Sequence, residues 1–314
     1  EAIVHPDEVR KYIDINECQL SYNPQLMALL WNSLATRKVE ILNRGMQRRF
    51  SIPADCAWVN YVRCHDDVGF AFSNDDVRDT NYDPASHRRF LAEFFTGRFP
   101  ESFSRGQPFQ EDPVTGEARI SGTCASLAGL ERALAENDTD GIELAIQRIL
   151  LIHGVILTIG GIPLIYMGDE IAMTNDHRYM RVPEHAHDSR WIHRPLMDWD
   201  TALSPEANTP ESRVLSGTRH IYQRRKAVPA IHGRHPTRVV AAPNSAVFAF
   251  MRLAPTGTLL CLFNFSEEWQ NVPVDWLRER GIKRGPVYLW EAPGKTFLDT
   301  GVLATQNDWF KPDG

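Results

Sequence analysis

The 314 residues are 43% apolar, 10% aromatic and 24% charged, enough to bury a core and to exclude a wholly disordered chain. With 34 basic against 40 acidic side chains the formal charge is −6, which excludes the basic field that nucleic acid needs, while the scatter of Lys and Arg excludes a polybasic membrane surface. Cys18, Cys56, Cys64, Cys124 and Cys261 are odd in number and hold no Cys-x-x-Cys pair, so neither a disulfide scaffold nor a thiolate zinc site is expected, and free thiols lean towards a reducing, cytoplasmic interior.

The chain opens Glu1-Ala2-Ile3-Val4 with neither an initiator methionine nor a charged leader, and a truncated chain is expected, with any targeting signal upstream. No run of about 20 uninterrupted apolar residues predicts a spanning helix. Asn23-Pro24 is a capping residue followed by proline at the first helical position. Leu26, Met27, Leu30, Leu34, Val39 and Leu42 then recur at helical spacing and predict one amphipathic helix of about 20 residues. Trp58-Val59-Asn60-Tyr61-Val62 reads as a strand that delivers Arg63-Cys64-His65-Asp66-Asp67 at its carboxyl end, where βα-barrels keep their chemistry.

Residues 68 to 130 interrupt that rhythm with a helix around His87 to Phe95 and a hairpin, Pro108-Phe109-Gln110 with Ala118-Arg119-Ile120, about the turn Asp112-Pro113-Val114-Thr115-Gly116. Insertions of this size after a barrel strand shape the mouth of a site. Gly141 to Ile159 reads as an apolar helix ended by Gly160-Gly161, and Ile162-Pro163-Leu164-Ile165-Tyr166 as a buried strand closed by Met167-Gly168-Asp169-Glu170. Strand, helix and strand in this order indicate parallel α/β architecture. From about Val240 the pattern becomes short alternating runs, Val247–Met251, Leu259–Phe263 and Pro286–Trp290, as in an antiparallel β-sandwich, so a boundary is expected near residue 235.

His65-Asp66-Asp67 reads either as a surface turn or as a functional cluster, because two carboxylates beside a histidine cost repulsion that a purely structural site does not need. A metal reading is not favoured, since no second ligand arrives at zinc spacing. Gly160-Gly161 stands alone, and no glycine-rich phosphate loop accompanies it. His185, His187 and His193 crowd an expected exposed loop around Asp188-Ser189-Arg190-Trp191, in which Arg190 offers its planar fork as an anion clamp.

Three segments carry a family resemblance. Glu1-Ala2-Ile3-Val4-His5-Pro6-Asp7 resembles the segment of glycoside hydrolase family 13, the α-amylase superfamily, that bears the general acid/base glutamate. Val62-Arg63-Cys64-His65-Asp66-Asp67 resembles the segment of the transition-state aspartate with its sugar-binding histidine, and Gly161 to Glu170 resembles the eighth-strand signature. Trp58 to Arg63, Pro108-Phe109-Gln110, Arg119-Ile120-Ser121-Gly122-Thr123 and Asp188-Ser189-Arg190-Trp191 with His193-Arg194-Pro195 look like amylosucrases.

The resemblance implies an α/β fold: the second half of a (β/α)8 TIM barrel with an inserted B'-type subdomain, followed by a C-terminal antiparallel β-sandwich. The implied units are 1–67 (strand 5 end to strand 7), 68–130 (insertion), 131–235 (helix 7 to helix 8) and 236–314 (sandwich). It further implies a retaining glucosyl transfer from sucrose to an α-1,4-glucan with fructose as leaving group and no metal or organic cofactor. Glu1 would be the acid/base. Asp66 and His65 would hold the glucose, Asp67 would border the leaving group, Arg190 would serve the glucose pocket, and Arg88, Phe90 and Arg119 would line the acceptor groove. The family's Gly-Phe-Arg-x-Asp-Ala segment, with its nucleophilic aspartate, does not occur in these residues, nor does the aspartate that pairs with Arg190, and Asn307 to Gly314 does not resemble the family's last strand. Sucrose hydrolysis or isomerisation, another family 13 α-glucosidase, and a non-catalytic carbohydrate-binding fragment are the competing readings.

Overall fold

A computed structural model describes residues 5–282 and the backbone of two further strands, Pro286–Tyr288 and Thr300–Ala304. Glu1, Leu289-Trp290 and Asn307 to Gly314 lie outside the described residues. Three short strands, β1 (Leu20–Tyr22), β2 (Ala57–Tyr61) and a third at Ile162–Leu164, pair in parallel with β2 in the middle.

Between β1 and β2 the chain makes two helices, α1 (Pro24–Thr36) and α2 (Glu40–Arg49), rather than the single helix expected. The break falls at Arg37, whose left-handed φ of 57° ends the first helix before the apolar spacing resumes at Val39. Asn23 caps α1 by accepting from the Leu26 N–H at 3.1 Å. Its amide also donates to Asn60 at 3.0 Å, and Asn60 in turn donates to the Gly160 carbonyl at 2.8 Å. This buried amide chain satisfies polar groups that would otherwise be stranded among three segments.

The excursion after β2 contains α3 (Pro84–Phe95), capped by Asp83, and the antiparallel pair β3 (Gln107–Phe109) and β4 (Arg119–Ser121), with Phe109 opposite Arg119. Val68 and Ile120 exchange backbone hydrogen bonds of 2.8 and 2.9 Å, which binds β4 to the loop that follows β2. Next comes α4 (Thr139–Thr158), which by length and composition alone would pass for a membrane span. Of its most apolar stretch 78% is buried in the protein, which makes it the central core helix.

The strand after α4, β5 (Ile162–Leu164), is exposed to half-buried rather than buried as expected, because β2 covers one of its edges only. Gly160 and Gly161 precede it with φ of 114° and 61°. A side chain on Gly161 would strike the Trp58 carbonyl, and one on Gly160 the Arg252 guanidinium, so the pair serves close approach.

After α5 (Pro210–Ala227), strands β6 (Thr237–Ala241), β7 (Val247–Ala254), β8 (Gly257–Asn264), β9 (Pro286–Tyr288) and β10 (Thr300–Ala304) form one antiparallel sheet in the order β6-β7-β8-β10-β9. Alternation sends Phe248, Phe250, Cys261 and Phe263 into the core shared with α1, α2 and α4, while Met251, Leu260 and Leu262 meet Trp276 and Leu277 of a short helix, Val274–Glu279. Among the described residues a helical layer on each face therefore takes the place of the second sheet that a sandwich would require.

Arg252, wholly buried on β7, rivets this sheet to the rest. It donates to the carbonyls of Ile159 at 2.8 Å and His232 at 2.7 Å, and to those of Ala230 and Ile231 at 3.3 Å.

Candidate active site

The cluster at the carboxyl end of β2 takes shape because Arg63 turns inward. Its Nε donates to Asp169 Oδ1 at 2.8 Å, a pair almost wholly enclosed, and its guanidinium lies 4.6 Å from the centre of the Tyr166 ring. A buried ion pair of this kind stands on its geometry and its additional hydrogen bonds, here to the Cys64 and His193 carbonyls. The next residues are then carried outward. His65 is 61% exposed at the side chain, and its Nε2 lies 3.3 Å from Asp66.

Asp66 gathers cations on its other oxygen: Arg190 at 3.6 Å and Arg194 at 3.5 Å. Asp67 turns the opposite way, with a side chain only 6% exposed and Arg119 at 3.3 Å. Burial raises its carboxyl above the ordinary value of 3.8, against the pull of Arg119. Arg119 and Arg190 both lie over the Phe109 ring, at 5.3 and 4.6 Å, so one aromatic ring engages both guanidiniums at the wall of the site.

Arg190 already holds an anion of its own. It chelates Asp188 through Nε and Nη2 at 2.9 and 2.8 Å, and this bidentate pairing holds the Asp188 carboxyl down to about 2. The clamp expected from sequence is thus closed on a residue two positions away, and Asp66 takes only its free edge.

Of the three histidines expected in an exposed loop, His193 is instead 1% exposed. Its Nδ1 accepts from the Gly122 N–H at 3.0 Å, which leaves Nε2 to donate to the His65 carbonyl, also at 3.0 Å. Burial pushes its pKa down to about 3, so the ring is neutral and fixed in one tautomer. Arg194 Nε donates to the same His65 carbonyl at 2.7 Å. His185 stacks on Trp191 with centroids 3.6 Å apart. Sequence reasoning missed His193, Arg194 and Phe109 as parts of this cluster. The available signal was Phe109, which faces Arg119 across the predicted hairpin.

The structure therefore brings together His65, Asp66, Asp67, Arg119 and Arg190. It does not bring Arg88 and Phe90 to them. Arg88 donates to the carbonyls of Phe70 and Phe72 and to Asn74, and lines a cleft with His5 and Pro6. Phe90, two residues along the same helix, faces another groove with Tyr82, His87 and Phe99.

Residues 237–288 match the family model described as amylosucrase, C-terminal domain. In fold the chain is similar to a sucrose 6F-phosphate phosphorylase from Thermoanaerobacter thermosaccharolyticum, with a TM-score of 0.56 and 15% identity over 83% of this chain and 46% of that one. It is also similar to an α-amylase from H. orenii, with a TM-score of 0.51 and 11% identity over 96% of this chain and 50% of that one. The chain thus spans about half the length of these solved structures.

Proposed function

We propose, on the premise of the family 13 relationship shared by the motifs, the C-terminal domain match and the fold, that this chain supplies half of the sugar site of a retaining glucosyltransferase. The enzyme would take glucose from sucrose, release fructose and extend an α-1,4-glucan. The observation that carries the reading is the polar end of β2, where His65, Asp66 and Asp67 stand beside Arg119 and Arg190 at the carboxyl side of a parallel strand.

In this reading Glu1 protonates the glycosidic oxygen as fructose leaves, and an aspartate from a segment that these residues do not contain takes the glucosyl group. Glu1 then removes the proton of the acceptor hydroxyl. His65 and Asp66 bind glucose hydroxyls, and the Asp66 carboxylate offsets the positive charge that develops on the ring. Arg194 and Arg190 hold that carboxylate in place without enclosing it. Asp67 and Arg119 border the fructose and acceptor side. The same premise supports carbohydrate substrates of the family in general, and sucrose rests on the amylosucrase-like stretches and the domain match.

The test uses a polypeptide that carries this chain together with the nucleophile-bearing segment. Glu1→Gln should lower sucrose cleavage by several orders of magnitude yet spare glucosyl fluoride, whose leaving group needs little protonation. Asp66→Asn should disable both donors, because every donor passes through the same charged transition state. Rescue of Asp66→Asn by glucosyl fluoride would overturn the assignment.

A further inference from the structure

Beneath the cluster lies a second set of chemical groups that the proposed reaction does not use. Cys124, at the start of a short helix, His153, in the middle of α4, and Asp169, after β5, are all buried, and their donor atoms lie within 4.8 Å of one another. His153 Nδ1 donates to the Ile149 carbonyl at 2.8 Å, which turns the lone pair of a neutral ring to Nε2. Among the described residues that nitrogen has no hydrogen-bond partner, and neither has Asp169 Oδ2, the oxygen that Arg63 leaves free. Two orphaned acceptors on neighbouring buried side chains cost stability unless something answers them.

We propose that Cys124 Sγ, His153 Nε2 and Asp169 Oδ2 bind a borderline-soft divalent cation, Zn2+ foremost. One sulfur, one imidazole nitrogen and one carboxylate oxygen suit zinc, whereas calcium and magnesium require oxygen throughout. Tetrahedral zinc with ordinary bond lengths sets such donors about 3.3 to 3.6 Å apart, so from within 4.8 Å the three need close by at most about 1.5 Å, and a water completes the four-coordinate shell. Binding releases the thiol proton to solvent and leaves a neutral ion, thiolate and carboxylate set, while Arg63 keeps Asp169 Oδ1. The site is structural. It joins α4 to the turn after β5 and, through Asp169 and Arg63, fixes the backbone that presents His65 and Asp66. Further along the chain lies no pattern that announces it, since the ligands are separated by long stretches of sequence.

The whole chain should be unfolded in a chelator and refolded with Co2+ or Zn2+, because the buried site admits an ion most readily before it closes. The expected result is about one ion per chain, a thiolate-to-cobalt charge-transfer band, and a higher melting temperature with Zn2+ than without. Cys124→Ser should remove the band, and His153→Gln should weaken Zn2+ binding about a hundredfold. Wild-type protein that refolds with no stoichiometric ion and no charge-transfer band overturns the proposal, whatever the variants do. A band that persists in folded Cys124→Ser also overturns it, since the thiolate then comes from another cysteine.

Discussion

Asp67 and Asp66 are neighbours in the chain and opposites in environment. Asp67 is buried and its carboxyl is raised, so the folded protein binds that proton more tightly than the unfolded chain does. Its contribution to stability is therefore present in the protonated form and declines as pH rises from about 4 through the raised value. Asn resembles the protonated carboxyl. Asp67→Asn should thus melt at or above the wild-type temperature at neutral pH, with the difference vanishing as pH falls towards 4. Paired melts across that range check this, and a neutral-pH loss of stability would show that Arg119 outweighs burial. His65 and both carboxylates were legible in the sequence because they are consecutive. His193 was not, since its partners Gly122 and His65 lie far from it in sequence and a histidine in a polar loop gives no sign of being buried.

At the scale of elements, the strand at β2, the hairpin of β3 with β4, and α4 were legible from apolar spacing and turn residues, and their observed bounds differ by a few positions. The break at Arg37 was not, because the helical spacing of Leu34 and Val39 spans a left-handed residue without an evident interruption. β1 escaped because three residues are too few to show alternation. Gly160-Gly161 looked like a mere helix end. Gly161→Ala should cost about 1 to 2 kcal/mol for its left-handed backbone alone, with the contact against Trp58 added. Arg252→Met takes the donor from the Ala230 and Ile231 carbonyls, while Ile159 keeps the Thr237 hydroxyl and His232 keeps the His235 N–H, and should cost about 2 kcal/mol or more. Urea denaturation of both variants checks these values; unchanged midpoints would deny the close approach and the rivet.

For the molecule as a whole, the parallel sheet has three strands among the described residues and presents two outer edges, with Leu20 55% exposed on one and Ile162 45% exposed on the other. The 314-residue chain should accordingly bind hydrophobic dye or self-associate, and on the proposed mechanism, whose nucleophile-bearing segment is not among these residues, it should release no fructose from sucrose. Dye fluorescence, sedimentation and a fructose assay check this; a dye-silent monomer with glycosidase-like turnover would contradict both halves. The antiparallel sheet, by contrast, is not an appendage. Its Phe248, Phe250 and Phe263 belong to the same continuous core as Trp31 in α1 and Ile149 in α4.

That shared core sets a schedule for synthesis. On the ribosome α4 is complete about a hundred residues before β8 has emerged, a wait of some 5 to 20 seconds at ordinary elongation rates. Throughout that wait the apolar flank of α4 that later meets Phe263 faces solvent or a chaperone. The strands β7 and β8 are thus the ones that end the exposure of that flank to aggregation and to proteases.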